Sequence, residues 1–314
     1  MRPALTLVLL LSAIAGCQGQ GGQADAGPID GLEEEPADGG DAGGLSDGQQ
    51  GDGAIHGWVE IVELRQQLYE WGIVRGYFGL DRHFIRYPEH RLDLRCEAQD
   101  SRDACVLYTS CAPFDRMCED VCSPDQECVG GVCRPFSSPV DIGPIAVEGL
   151  PSDTTLEQDE YGWYGAGETA SELFDQGDPI RVQAEPAALE PFELAATGVA
   201  AMEMPYSSVE PQAGQPLVFD WTPGSLAEAR VQVLLLSGWH APYAPEVALL
   251  CEVEDSAGQL VIPAELVDGF LARASLFNRP GHIMRYTSDQ RSWQGGEVQL
   301  WVGSAWTLHT LGSR

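Results

Sequence analysis

Seven cysteines crowd one window of this chain: Cys96, Cys105, Cys111, Cys118, Cys122, Cys128 and Cys133. Thiols this close together hold a metal, exchange electrons or staple the backbone. A strong zinc signal is paired C-x₂-C, and a redox site of the thioredoxin type uses the same spacing. No C-x₂-C occurs here, so disulfides are expected and no metal or cofactor. The six histidines, His56, His83, His90, His240, His282 and His309, form no H-x-H or H-E-x-x-H pair. Ser237 and His240 lie close in sequence, but no G-x-S-x-G elbow surrounds the serine. With 48 acidic residues, any pair of carboxylates is uninformative about glycoside hydrolysis. One aromatic stretch stands out, DEYGWYGAG, in which Tyr161, Trp163 and Tyr164 form a candidate binding loop. Such rings stack on sugars or anchor a protein partner, unless they fold back onto the core.

Cys17 has a different setting. Arg2 gives a positive start, Leu5 to Ile14 an apolar run, and Ala15 and Gly16 small residues before the thiol. This is the layout of a signal peptide, too short to span a bilayer. The tetrad Ile14-Ala15-Gly16-Cys17 resembles the lipobox of bacterial lipoproteins. The resemblance implies a lipoprotein signal peptide over 1–16, cleavage before Cys17, and acyl chains on Cys17 that bind the lipid bilayer. Several chains anchor where one would not, at about 0.8 kcal/mol per buried CH₂. Gln18 rather than Asp follows Cys17, and by the same resemblance the outer membrane is the expected destination.

The stretch 17–53 is the lipidated cysteine and an acidic Gly-rich tether. Residues 18–53 hold twelve Gly and nine Asp or Glu, with no Lys, Arg or aromatic residue. So little apolar surface cannot offset ordering entropy, and a disordered tether with a reach of roughly 30–36 Å is expected. The whole chain carries a net charge of −31, and all 17 basic residues are arginine. Such a field excludes nucleic acid as a partner and disfavours anionic headgroups.

The elements that must position any site are strands. In 229–236, Val231, Val233 and Leu235 alternate with Arg230, Gln232 and Leu234. The same period of two runs through 217–221 and 298–308, with Gly or Pro in most gaps. Further strands are expected at 142–148, 180–184, 247–253, 259–262 and 283–287. The segment 58–79 reads as two strands, 58–64 and 73–79, because Gly72 and Gly76 interrupt a helix. One helix is expected at 263–273, opening at Pro263 with a stripe of Leu266, Val267, Phe270 and Leu271. Arg273, Arg279, Arg285 and Arg291 recur every six residues and are read as charge balance in an acidic protein. The expected fold is mainly β: an antiparallel β-sandwich-like body with a disulfide-rich small segment. It divides into 54–135, holding the cysteine window, and 136–314, the sandwich-like part.

Cys251 lies on an apolar strand face with Leu249 and Val253. Seven cysteines cannot all pair within their window, so eight cysteines in four bridges require one to reach Cys251. CVLYTSC looks like a strand able to enter the same sheet, so Cys105 or Cys111 is the expected partner.

Several segments together resemble cysteine-containing lipoproteins of myxobacteria and their relatives. They are GWVEIVEL with VRGYFG, CVLYTSC, CSPDQECVGGVCRP, DIGPIAVEGL, ELFDQGDPIRV, PLVFDWTPG and LLCEVEDSAGQLVIPAELV, in that order over 54–314. The resemblance implies an envelope lipoprotein with a β-sandwich-like body and carries no functional residue across. The expected function is a lipid-anchored, non-catalytic structural or binding module facing the periplasm or cell surface, with an envelope protein or glycan as ligand. The alternative is an envelope hydrolase acting on polysaccharide or ester, its catalytic groups assembled only in space. For the anchor, Cys17→Ala should abolish palmitate labelling and release the chain from membranes or leave it uncleaved; undiminished labelling would remove the lipoprotein reading.

Overall fold

The computed structural model describes residues 54–66, 69–80, 97–109, 126–129, 132–135, 139–166, 169–205, 208–237, 247–274 and 280–310. Period-two patterning becomes strands almost throughout. The first hairpin is β1 (His56–Gln66) with β2 (Tyr69–Gly79). A second joins β3 (Glu97–Arg102) to β4 (Cys105–Thr109), and a third joins β5 (Gln126–Val129) to β6 (Val132–Pro135). Short strands follow: β7 (Ile145–Glu148), β8 (Thr154–Gln158), β9 (Trp163–Gly165), β10 (Pro179–Ala184), β11 (Phe192–Thr197) and β12 (Ser208–Val209). Then come β13 (Leu217–Asp220), β14 (Arg230–Ser237), β15 (Val247–Glu254) and β16 (Gln259–Ile262). The helix α1 (Ala264–Leu271) opens at Pro263 and buries Leu266, Val267 and Phe270. The long hairpin β17 (Pro280–Trp293) and β18 (Gly296–Thr310) ends the described chain. Its two-residue turn works because Gln294 and Gly295 both take positive φ, 52° and 78°, which matches the twist of the flanking strands.

One large sheet runs β11-β10-β7-β8-β9-β2-β1-β18-β17-β14-β15-β4-β3. Strands from 54–135 and from 136–314 interleave in it, so both segments belong to one compact unit, Gly48–Arg314. The antiparallel expectation needs one correction. β1 pairs with β18 in parallel, from Gly57↔Val298 to Arg65↔Trp306, and β12 also joins β18 in parallel. Alternation marks which face is buried but not strand direction, and two hairpins from opposite ends of the chain need no tight turn between them.

Two apolar cores lie on one face of this sheet. The first holds Val59, Ile61, Phe78, Val298, Leu300 and Val302 against Ile145, Leu156, Ile180, Val182, Phe192 and Leu194. Here the β7–β11 end of the sheet folds back over β1, β2, β17 and β18, as in a sandwich. The outer edge of β11 is closed by side chains of β17: Ala195 N donates to Asp289 Oδ2 at 2.9 Å and Thr197 N to Thr287 Oγ1 at 3.1 Å. The second core packs Val231, Val233, Leu249 and Leu107 under α1 and the β13–β16 ribbon, through Leu266, Phe270, Phe219 and Ile262. Cys105 and Cys251 are register partners on adjacent strands, fully buried in this core and bonded as a disulfide across 146 residues. Cys128 and Cys133 are register partners in the third hairpin, whereas Cys17, Cys96, Cys111, Cys118 and Cys122 lie outside the described residues.

Between the cores sits Arg285, whose charge is balanced inside the fold rather than at the surface: only 3% of it is exposed. Its Nε donates to Asp255 Oδ1 at 3.0 Å, its Nη1 to the carbonyls of Ala200 and Ala201, and its Nη2 to the carbonyl of Thr222. The other oxygen of Asp255 accepts from Gly224 N at 2.6 Å. Period-two reading places Arg285 and Arg291 on one face, but only the covering segments decide that Arg285 is buried and Arg291 exposed. Removing one partner of a buried pair strands the other charge, which costs roughly 3–5 kcal/mol. Asp255→Ala should therefore destabilise the fold by about that much in denaturant unfolding, while Asp220→Ala, an exposed site, should change it little.

Candidate functional site

A line of residues crosses the sheet on the face opposite the two cores. Register aligns Trp301 on β18, Glu60 on β1, Arg75 on β2, Gly165 on β9 and Glu157 on β8. Directly paired residues point to the same side of a sheet. The row therefore reads indole, carboxylate, guanidinium, no side chain, carboxylate. Glu60 is fully buried, and its Oε1 accepts from Arg75 Nε. Arg75 itself is a third exposed, and its guanidinium lies 5.7 Å from the ring centre of Trp163. A carbon placed at the Cβ of Gly165 would meet no atom within 4 Å. The missing side chain leaves a shallow cleft of about 390 Å³, lined by Arg75, Glu157, Asp159, Trp163, Tyr164 and Gly165.

The next row holds the aromatic wall. Trp163 pairs with Tyr77, which pairs with Trp58. The ring of Trp163 lies 5.8 Å from that of Trp58 and 5.4 Å from that of Tyr77, in tilted and edge-on geometries favoured by aromatic quadrupoles. The turn before it is held by Asp159, whose Oδ1 accepts from Tyr161 N at 2.8 Å and Trp163 N at 2.9 Å. This is an Asx-type turn, and it fixes the backbone at Trp163, while Trp58 and Tyr77 hold the ring.

The three aromatic residues of the candidate loop thus separate. Tyr161 is 62% exposed at the turn. Trp163 is half-buried and borders the cleft. Tyr164 points to the other face and belongs to the first core, a correction to its place in a binding loop, because a strand sends successive side chains to opposite sides. Its hydroxyl accepts from Ile142 N at 2.7 Å, and burial pushes its pKa up to about 12. Arg75, Glu157 and Gly165 were not singled out from the sequence. Each has the pattern of an ordinary strand position; Glu157 and Gly165 pair locally, and only the pairing of β9 with β2, some 90 residues away, brings Arg75 to them. Ser237 is fully buried at the end of β14, and His240 lies outside the described residues. Among the described residues, no three His, Cys, Asp or Glu side chains gather where they could hold a metal ion. No helix among them is long and apolar enough to cross a membrane.

The chain matches no protein-family model and no curated protein.

A further buried titratable group lies outside the cleft. Glu63 on β1 is 4% exposed and accepts from Leu173 N at 2.9 Å, where the segment 169–174 crosses the first hairpin. Burial pushes its carboxyl above the usual 4.5, while the Leu173 N–H and Arg65 offset part of the rise. Below pH 4.5 the folded and unfolded chains both hold the proton; above it the folded chain keeps the proton longer, so stability falls as pH rises through the folded pKa. Glu63→Gln keeps an acceptor for Leu173 and removes the ionisation. The stability of the variant relative to the parent should be flat in acid and grow as pH rises above 4.5; a difference constant with pH would mean that Glu63 is not held in this environment.

Proposed function

We propose that the chain is a non-catalytic binding module of the cell envelope, anchored in the outer membrane through acylated Cys17 and carried above the lipid by its Gly-rich tether. The observation that carries this reading is the open side-chain position of Gly165 between Arg75 and Glu157. A gap in a row of paired side chains, walled by a fixed tryptophan and rimmed by opposite charges, has the makings of a ligand site. The anchor rests on Ile14-Ala15-Gly16-Cys17, and the tether on the composition of 18–53.

A substitution at Gly165 separates binding from folding. Gly165→Leu fills open space rather than an occupied core, so its melting temperature should stay near that of the parent chain. Detergent-solubilised envelope material passed over the immobilised full chain should leave a bound fraction, and the variant should lose most of it. Equal retention on both chains, or turnover of envelope ester or polysaccharide by the parent, would overturn the proposal.

A further inference from the structure

Resting on that reading of the cleft, we infer that its ligand is a neutral sugar ring of an envelope glycan. The walls first set the size. Arg75 and Glu157 are two strands apart, about 9–10 Å between backbones, with Gly165 as the floor between them. One six-membered ring fits between the side chains.

The chemistry of the walls sets the rest. A guanidinium only donates hydrogen bonds and a carboxylate only accepts them. A ligand that spans both must offer acceptors on one side and donors on the other. Neighbouring hydroxyls on one sugar ring do both, and its C–H face suits the apolar ring of Trp163.

Charge narrows the class. Arg75 is already paired with buried Glu60, and Glu157 and Asp159 line the same cleft. Three carboxylates at the site thus outnumber its one guanidinium, in a chain of net charge −31, which opposes an anionic ligand. A cationic ligand meets the opposite obstacle: the guanidinium of Arg75 already takes the cation position at the ring of Trp163. A neutral polyhydroxyl ring meets neither. Because Asp159 fixes Trp163 and Glu60 holds Arg75, little ordering remains to be done on binding.

The test uses the full chain in a detergent without a sugar headgroup, read by tryptophan fluorescence and calorimetry. The neutral probes are glucose, galactose, mannose and N-acetylglucosamine; the charged probes are glucuronate and glucosamine, which share the ring of glucose. At least one neutral sugar should bind, more tightly than either charged ring and with little dependence on salt. Gly165→Leu should abolish that binding, and Glu157→Gln should weaken it about tenfold through loss of a charged acceptor, both with unchanged melting temperature. If a charged ring binds more tightly and Gly165→Leu still abolishes it, the neutral-sugar assignment falls and the cleft stands. If sugars bind Gly165→Leu as well as the parent, the site lies elsewhere and both readings fall. If no probe binds, the sugar assignment falls, and retention of envelope material, which uses no sugar probe, judges the cleft separately.

Discussion

The guanidinium of Arg285 sits where two apolar cores meet, and the segments that cover the sheet there are arranged around its demand for acceptors. Taking a charge out of water costs several kcal/mol even after relaxation. Arg285 offsets this with the carboxylate of Asp255 and the carbonyls of Ala200, Ala201 and Thr222. Those acceptors come from three stretches far apart in sequence. The link between β11 and β12, the turn after β13 and the turn after β15 are all drawn to one side chain. Asp255 is equally committed, since its second oxygen holds Gly224 N and its backbone carbonyl accepts from Trp221 Nε1 at 3.0 Å. A hydrophobic residue at 285 would fill space but leave those backbone groups to find new partners, so the pair specifies how the cover is laid as well as that it is laid.

The same device recurs where backbone pairing stops. β11 ends one side of the large sheet, and an open edge with unpaired N–H groups invites association with other chains. Asp289 and Thr287 occupy that edge from β17 instead of a further strand. Ser304, register partner of Arg285, accepts from Met202 N at 3.0 Å and ties the next stretch of cover down. Polar side chains on the inner face of β17 and β18 thus do for the covering segments what ladder bonds do inside the sheet.

On the opposite face the charges are arranged differently. Glu60 and Arg75 are neighbours on one hairpin, so their pairing is local. Gly165 and Glu157 join them only because β9 is wedged between β2 and β8. Gly165 is the last residue of β9 and brings no side chain to the row. Here it opens a cleft between a donor wall and an acceptor wall, beside a tryptophan that is fixed by its turn and its aromatic neighbours. On the proposed reading, the tether then sets how far from the membrane that cleft can sample its ligand.

Much of this was legible in the residues. Alternation located β14, β15 and β18, and Gly72 and Gly76, which interrupt a helix, located β1 and β2. The Pro263 start and the Leu266–Phe270 stripe located α1. The odd cysteine count together with the apolar face of Cys251 pointed to a bond between the window and the later strands, and the Cys105–Cys251 disulfide is that bond. Tertiary structure alone decided strand direction at β1–β18, the burial of Arg285 and the meeting of Arg75, Gly165 and Glu157. The reason is common to all three. A strand's sequence records what each of its faces touches in kind, apolar or polar, but not which distant segment supplies the contact, and that choice is made by register and covering elements brought together from across the chain.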